Sequence, residues 1–151
     1  MNPVLPFRLK VPGKDEFVGV RVESTSFQFH GLARLDGALL NLEWAGTARV
    51  QGVDALSIRD DKLSLPAESL ELPVDRLRTA EVLGRWWRLR LELSARELRA
   101  LAIVPSEDSG VVRLWFRRRD RQVAVALAAD LTRAIAAPPQ LPAAGDEPTG
   151  S

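Results

Sequence analysis

The sequence predicts a mostly β domain that ends in one amphipathic helix, and three observations lead to this fold class. Apolar and polar residues alternate through most of the first 117 residues, which is typical of strands with one buried and one wetter face. After Arg119 the apolar residues recur about every four positions, as on one side of a helix. The length of 151 residues suits a single core, because chains usually divide only above roughly 250 residues.

The first strands follow from the alternating stripes. Residues 5–11 carry apolar side chains at every second position, and so do residues 27–35. Residues 18–22 form a further valine stripe between them. Asp36 and Gly37 then form a pair that favours a tight type I′ hairpin, whose return strand should bury alternate residues of 40–44.

In the middle of the chain, glycine, polar residues and proline interrupt the alternation of apolar and polar residues. The alternation continues over residues 48–58, with Gly52 as the expected bulge. Residues 60–62 are polar and predict a turn. Two prolines in residues 63–74 predict two short strand pieces instead of one central strand. Further strands are expected over 76–83, 86–93 and 111–117, while 97–104 fits either a strand or one helical turn.

The last ordered element is the predicted helix over residues 121–136. Asp120 is the expected N-cap, because its carboxylate can accept hydrogen bonds from first-turn amides. Prolines at 138 and 139 stop the helix. The expected organisation is one globular domain over residues 1–137, followed by a flexible Pro/Ala/Gly-rich tail over residues 138–151.

About seven antiparallel strands followed by one helix resemble the pleckstrin-homology-like (PH-like) superfold. The stretches that carry the resemblance are 84–91 (GRWWRLRL), 98–105 (LRALAIVP), 111–116 and the helix opening at 119–121. They look like small bacterial PH-like domains of uncharacterised function. The resemblance implies a barrel or two-sheet sandwich closed by the helix, and it implies no ligand. The loop at 35–38 has no basic cluster of the kind that phosphoinositide-binding PH domains carry there.

Missing residue types limit the chemistry that the chain can perform. It has no cysteine, no tyrosine and one histidine, His30, so thiolate nucleophiles, cysteine zinc sites and iron–sulfur clusters are excluded. His30 is expected on the polar face of its strand, without partners for acid–base work. The acid pairs at 60–61 and 107–108 are interpreted as turns. We expect no enzyme, cofactor or metal site, and the alternative is an activity that uses scattered carboxylates.

The expected cellular location follows from two further features. The first residues, Met-Asn-Pro, lack the basic and apolar regions of a secretion signal. Charged residues interrupt every apolar run well before the roughly 18 to 20 residues that a bilayer span requires. We expect a cytoplasmic protein without a transmembrane segment.

The formal net charge of +1 is a cancellation between two regions. Residues 54–84 hold seven acidic and four basic side chains, whereas residues 85–121 hold ten arginines and five acidic side chains. One interpretation is a molecule with an acidic and a basic region. The alternative is that neighbouring strands interleave the two sets into ordinary surface pairs, worth about 0 to 1 kcal/mol each.

Two predicted strands carry tryptophan and arginine at alternate positions. If Trp87 points into the core, the opposite face collects Trp86, Arg88, Arg90, Arg113, Trp115 and Arg117. Such a face suits a protein partner or self-association, and it also suits stacking on single-stranded nucleic acid. A third alternative is that arginine stems, an N-terminal strand or a second subunit cover the indoles.

Arg118 and Arg119 lie where the predicted helix begins and are candidates for a weak anion site. Together these features predict a non-enzymatic interaction or regulatory domain that binds a protein partner or itself through the Trp/Arg face. The alternative function is binding of nucleic acid or an anionic lipid surface through residues 85–121.

Overall fold

The computed structural model describes residues 3–19, 21–53, 57–106 and 108–137. The predicted fold class is confirmed, because the described chain is mostly β and ends in one helix. The expected tail at 138–151 lies outside the described residues. The strands are β1 (Val4–Leu9), β2 (Lys14–Val18), β3 (Arg21–Asp36), β4 (Leu39–Val53), β5 (Ile58–Pro73), β6 (Leu77–Leu83), β7 (Arg90–Ala95) and β8 (Val111–Trp115), and the helix is α1 (Arg121–Ala136).

All eight strands belong to one antiparallel sheet with the order β5-β4-β3-β1-β8-β7-β6. β1 and β2 follow one another along the same edge of β3. β1 also pairs with β8, where Arg8 lies opposite Trp115, and this pairing joins the first strands to the last three. In the described residues the end strands β5 and β6 do not pair, so the sheet is open and not the expected closed barrel or pair of sheets.

The first hairpin lies where the sequence predicts it, between β3 and β4. Its two-residue loop consists of Gly37 and Ala38, because Asp36 is already paired with Leu39. Only Gly37 has a positive φ, at 63°, which is the type II′ pattern with glycine at the first central position. The prediction of a type I′ turn centred on Asp36 and Gly37 is therefore wrong, although the position of the hairpin is correct.

β5 is one continuous strand of 16 residues, so the prediction of two short pieces is wrong. Proline is tolerated on edge strands and at bulges, and Pro66 meets both conditions. β5 is the end strand of the sheet, and its pairing with β4 shifts register opposite Ala45, not at the expected Gly52. The predicted polar turn at 60–62 is also wrong, because these residues pair with β4 inside the strand.

The core lies between the inner face of the sheet and α1. The predicted inward stripes of β1, β4, β7 and β8 are buried, and their most enclosed members include Leu5, Leu40, Leu42, Leu91, Leu93, Val112 and Leu114. In the predicted stripe of residues 27–35 only Ala33 is fully buried. α1 packs over β6, β1 and β3 with Ala124, Leu127, Ala128 and Leu131 buried. Each fully buried leucine side chain contributes about 1.5–3 kcal/mol by leaving water.

The bounds of α1 match the predicted helix over residues 121–136. Asp120 occupies the N-cap position, but its carboxylate accepts no capping hydrogen bond. A 3₁₀ helix at Arg118–Asp120 runs directly into α1 and gives Asp120 a φ of −97° and a ψ of 7°, whereas a capping residue is usually extended. No helix within the described ranges is long and apolar enough to cross a membrane.

Candidate interaction surface

β7 and β8 are antiparallel neighbours, as the candidate face requires. Arg90 lies opposite Trp115, and Glu92 lies opposite Arg113. Val112, Leu114 and Phe116 are buried, so Arg113 and Trp115 project from the other side of the sheet. The strand portion of the face, made by Arg90, Arg113 and Trp115, is therefore assembled.

The Trp115 ring is covered by two cationic side chains. The Nζ of Lys10 lies 3.8 Å from the ring centroid, and the Cζ of Arg90 lies 5.5 Å from it. Arg90 also donates from Nη1 to the carbonyl of Arg88 at 3.2 Å. Its buried Nε has no hydrogen-bond acceptor, because the Glu92 carboxylate stands 3.8 Å away, close enough for an ion pair only. This indole is half-buried, and neighbours from its own chain cover its ring.

Arg113 is also occupied by neighbours. Its Nε donates to Glu92 at 3.2 Å, and its Nη1 donates to Asp108 at 2.7 Å. The hydrogen bond to Asp108 raises the pKa of Arg113 above its usual value, with a smaller contribution from the charge of Glu92. Arg90, Arg113 and Trp115 therefore form a cluster whose charges are partnered by Glu92 and Asp108 of the same chain.

Trp86 and Trp87 lie in the connection between β6 and β7, and both are exposed, at 69% and 76%. The prediction that Trp87 points into the core is wrong, because β7 begins only at Arg90 and residues 85–88 form a bend. We call residues 84–89 the tryptophan loop. Its ends approach closely at Gly84, where φ is 95° and an added Cβ would lie 2.5 Å from the Arg88 carbonyl oxygen.

The tryptophan loop contacts the 3₁₀ helix that leads into α1. The guanidinium of Arg118 lies 4.9 Å from the centroid of the Trp86 ring. Among the described residues, Arg85, Arg88, Arg118 and Arg119 form no ion pair. An exposed pair of indoles thus stands beside guanidinium groups without carboxylate partners.

The six residues of the predicted face are divided by the structure into three environments. Arg90, Arg113 and Trp115 form the partnered cluster, whereas Trp86 and Arg88 belong to the open loop. Arg117 lines a separate cavity together with Arg119. The predicted anion pair is divided as well, since Arg118 stacks on Trp86 and Arg119 does not.

The acidic and basic regions do not neutralise each other in the described part of the chain. In the acidic region, Asp60 accepts two hydrogen bonds from Arg49 of β4, at 2.9 and 2.6 Å. Within the described residues, no ion pair joins 54–84 to 85–121, and β6 places Glu81 opposite Glu92. The alternative in which neighbouring strands interleave the two sets is not observed there.

Sequence reasoning missed one further surface at the far end of the long strands. Phe17, Val22, Val53 and Ile58 lie opposite one another across β2, β3, β4 and β5 and are all exposed. The predicted valine stripe fails at Val22, which is exposed, and the side chains of Val18 and Val20 lie outside the described residues. Only the register reveals this row, because its members are far apart in the sequence.

Comparisons with known proteins give no match for this chain. No protein-family model matches it, and no curated protein or solved structure is significantly similar to it.

Proposed function

We propose that this chain is a cytoplasmic, non-enzymatic interaction domain that binds an acidic segment of a partner protein through the tryptophan loop. The observation that carries the proposal is the pair of exposed indoles at Trp86 and Trp87. A large aromatic side chain buries about 150–250 Å² when it is covered, and tryptophan and arginine are the residues most enriched at interface hot spots. Two adjacent indoles in water represent binding area that the fold itself does not use.

The charge beside the loop indicates the chemistry of the partner. Arg85, Arg88 and Arg118 have no carboxylate within ion-pair distance among the described residues. Hydrogen bonds from guanidinium to carboxylate are about twice as strong as those between neutral groups. An acidic segment with an apolar side chain would therefore satisfy both the arginines and the indoles.

The backbone of the loop supports a role for the Arg88 side chain. Arg88 has a φ of 59°, the only positive φ of a non-glycine residue in the described chain. This conformation costs roughly 1–2 kcal/mol for a residue with a Cβ, and glycine avoids the cost. Strain of this kind clusters at functional sites. A long basic side chain at this position is thus held at the expense of stability.

A matched pair of double variants tests the proposal. Trp86→Ala with Trp87→Ala removes the exposed indoles, and Phe17→Ala with Ile58→Ala removes two equally exposed apolar side chains at the other end of the sheet. Affinity capture with the full chain, followed by binding measurements on each captured protein, is the first assay. Sedimentation velocity measures self-association, the other form of protein binding.

We expect a partner, or a second copy of the chain, to bind wild type and the Phe17/Ile58 variant and to be lost from the Trp86/Trp87 variant. Each lost interface indole should weaken binding by about tenfold or more, since hot-spot truncations cost about 2 kcal/mol and above. Equal losses in both variants, or none in either, would contradict a binding role for the loop.

A second candidate function is binding of a polyanion by the same region, and the unpartnered arginines of residues 85–121 favour it. Indoles stack on nucleic-acid bases, and they also lie readily at the interface of an anionic bilayer. Each phosphate contact releases counterions, so affinity should fall steeply as salt rises. Retention of a single-stranded oligonucleotide or of phosphatidylserine vesicles at low salt, abolished by Arg85→Gln with Arg88→Gln, would select this function over the first.

We also propose a PH-like relationship for the fold. The order of the elements supports this proposal. A first meander, β3-β4-β5, carries β1 at its edge, a second meander consists of β6-β7-β8, and α1 follows as the last element. The open sheet is a departure from a closed barrel. An experimental structure in which the two meanders bury separate cores, or in which α1 does not pack over the sheet, would contradict the relationship.

A further inference from the structure

A cavity of about 310 Å³ opens where β1, β3 and the segment after β8 meet. Its lining contains four basic side chains, Arg8, His30, Arg117 and Arg119, and one acid, Asp120. Each element contributes at least one of the basic groups. The cavity is separate from the tryptophan loop, whose residues do not line it.

The strand register explains why these side chains converge. Arg8 of β1 lies directly opposite His30 of β3, and such partners have Cβ atoms about 4.5–5.5 Å apart. Arg8 also lies opposite Trp115 of β8. Arg117 follows Trp115 by two residues, and Arg119 begins to turn back in the 3₁₀ helix, so the chain brings both to the same opening.

The floor of the cavity is tightly packed. Gly31 and Phe7 face each other across β3 and β1. A Cβ added to Gly31 would lie 2.0 Å from the Glu43 carbonyl oxygen and 2.7 Å from Cζ of Phe7. Because neither the backbone nor the buried ring can give way cheaply, Gly31 allows the close approach of β1 and β3 that places the backbones of Arg8 and His30 opposite each other.

The positive charge in this cavity is not neutralised by the described residues. Arg8, Arg117 and Arg119 form no side-chain hydrogen bond, ion pair or ring contact there, and Asp120 forms none either. Three guanidinium groups thus face one carboxylate. Like charges held together are destabilising unless a counter-charge joins them.

We infer that this cavity binds a small soluble compound through a phosphate group. Guanidinium forks match the oxygens of phosphate and can bind them through two hydrogen bonds each. The volume lies at the lower end of the range of about 300–1,000 Å³ seen for small-molecule sites. Leu32 and Phe116 add an apolar wall for the rest of the compound. The inference is independent of the function proposed for the tryptophan loop.

Pyrophosphate is the probe that tests this site, with isothermal titration calorimetry and thermal unfolding of the full chain at constant ionic strength. Arg8→Gln and Arg119→Gln each remove one cation from the cavity. Arg78→Gln is the matched control, because Arg78 is an exposed arginine on β6 that does not line the cavity. Wild type and Arg78→Gln should bind pyrophosphate and unfold at a higher temperature in its presence.

Arg8→Gln and Arg119→Gln should each bind about tenfold or more weakly, because each variant loses charge-assisted hydrogen bonds to the phosphate oxygens. Without ligand, both should unfold no earlier than Arg78→Gln, because they relieve repulsion. If one of them does not fold, the other still decides the result. No binding by wild type, or an equal loss in Arg78→Gln, would overturn the site, as would binding of oligonucleotides without binding of pyrophosphate.

Discussion

Trp115 and the Trp86–Trp87 pair belong to the same arginine-rich part of the chain but have opposite environments. Trp115 sits on β8, where the register brings Lys10 and Arg90 over its ring. Trp86 and Trp87 sit where the chain leaves the sheet, and more than two thirds of each is exposed. Strand pairing, more than composition, therefore decides here whether an indole among arginines is covered within the sheet or open to a partner.

The largest expected effect comes from removing the enclosed indole. Trp115→Ala should lower the free energy of unfolding by about 2–4 kcal/mol, because a half-buried ring and two cation contacts are lost. Trp87→Ala should change it by no more than about 0.5 kcal/mol, as usual for an exposed side chain. Urea unfolding followed by circular dichroism measures both. Similar values for the two variants would remove the distinction between the enclosed and the open tryptophans.

A smaller effect of opposite sign is expected in the tryptophan loop. Arg88→Gly should stabilise the fold by about 0.5–1 kcal/mol, because glycine adopts the positive φ without the Cβ penalty, partly offset by its greater freedom when unfolded. Arg85→Gly is the control, since Arg85 lies in the same loop without a positive φ, and it should be neutral or destabilising. Loss of stability in Arg88→Gly alone would show that the Arg88 side chain supports the fold.

The smallest expected effect is a pH dependence of stability that comes from a partnered charge of the sheet, Asp60, and has no counterpart in the unpartnered arginines of the loop. The hydrogen bonds from Arg49 lower the pKa of Asp60 below its usual value. A lowered folded-state pKa stabilises the fold above the unfolded pKa, and this stabilisation is lost as the pH falls through the folded pKa. Between about pH 5 and pH 2, wild type should therefore lose more stability than Asp60→Asn.

Urea midpoints measured across this pH range test the effect, with Asp75→Asn as the control because Asp75 is exposed and outside the ion pairs of the described residues. Asp75→Asn should follow wild type. Identical pH profiles for Asp60→Asn and wild type would mean that the Arg49 pair contributes nothing in solution.

Local periodicity explains which parts of the fold could be predicted from the sequence. The bounds of α1 and the buried stripes at Leu40, Leu42, Val112 and Leu114 depend on the spacing of apolar residues, which the sequence shows directly. The prolines of β5 mislead because proline tolerance depends on whether a strand lies at the sheet edge. That property belongs to the strand order and to no short stretch of sequence.

The candidate surfaces depend even more on tertiary pairing. The contact between Lys10 and Trp115 requires the pairing of β1 with β8, and no signal near either residue indicates it. Arg8 and Arg119 share a cavity for the same reason. Trp87 is misplaced by the sequence because alternation alone does not show where a strand begins. Gly84 correctly indicates a turn after β6, but no signal near it shows that the connection continues as far as Leu89.

The pairing of Arg8 with Trp115 sets an order for assembly during synthesis. β1 is synthesised before β8, and its pairing partner on β8 lies more than a hundred residues further along the chain. Such distant contacts form slowly because a long loop must close. The β3-β4-β5 meander can form while the ribosome is still translating the rest. Until β8 emerges, one edge of β1 stays unpaired, and the nascent chain is exposed to edge-to-edge association in that interval.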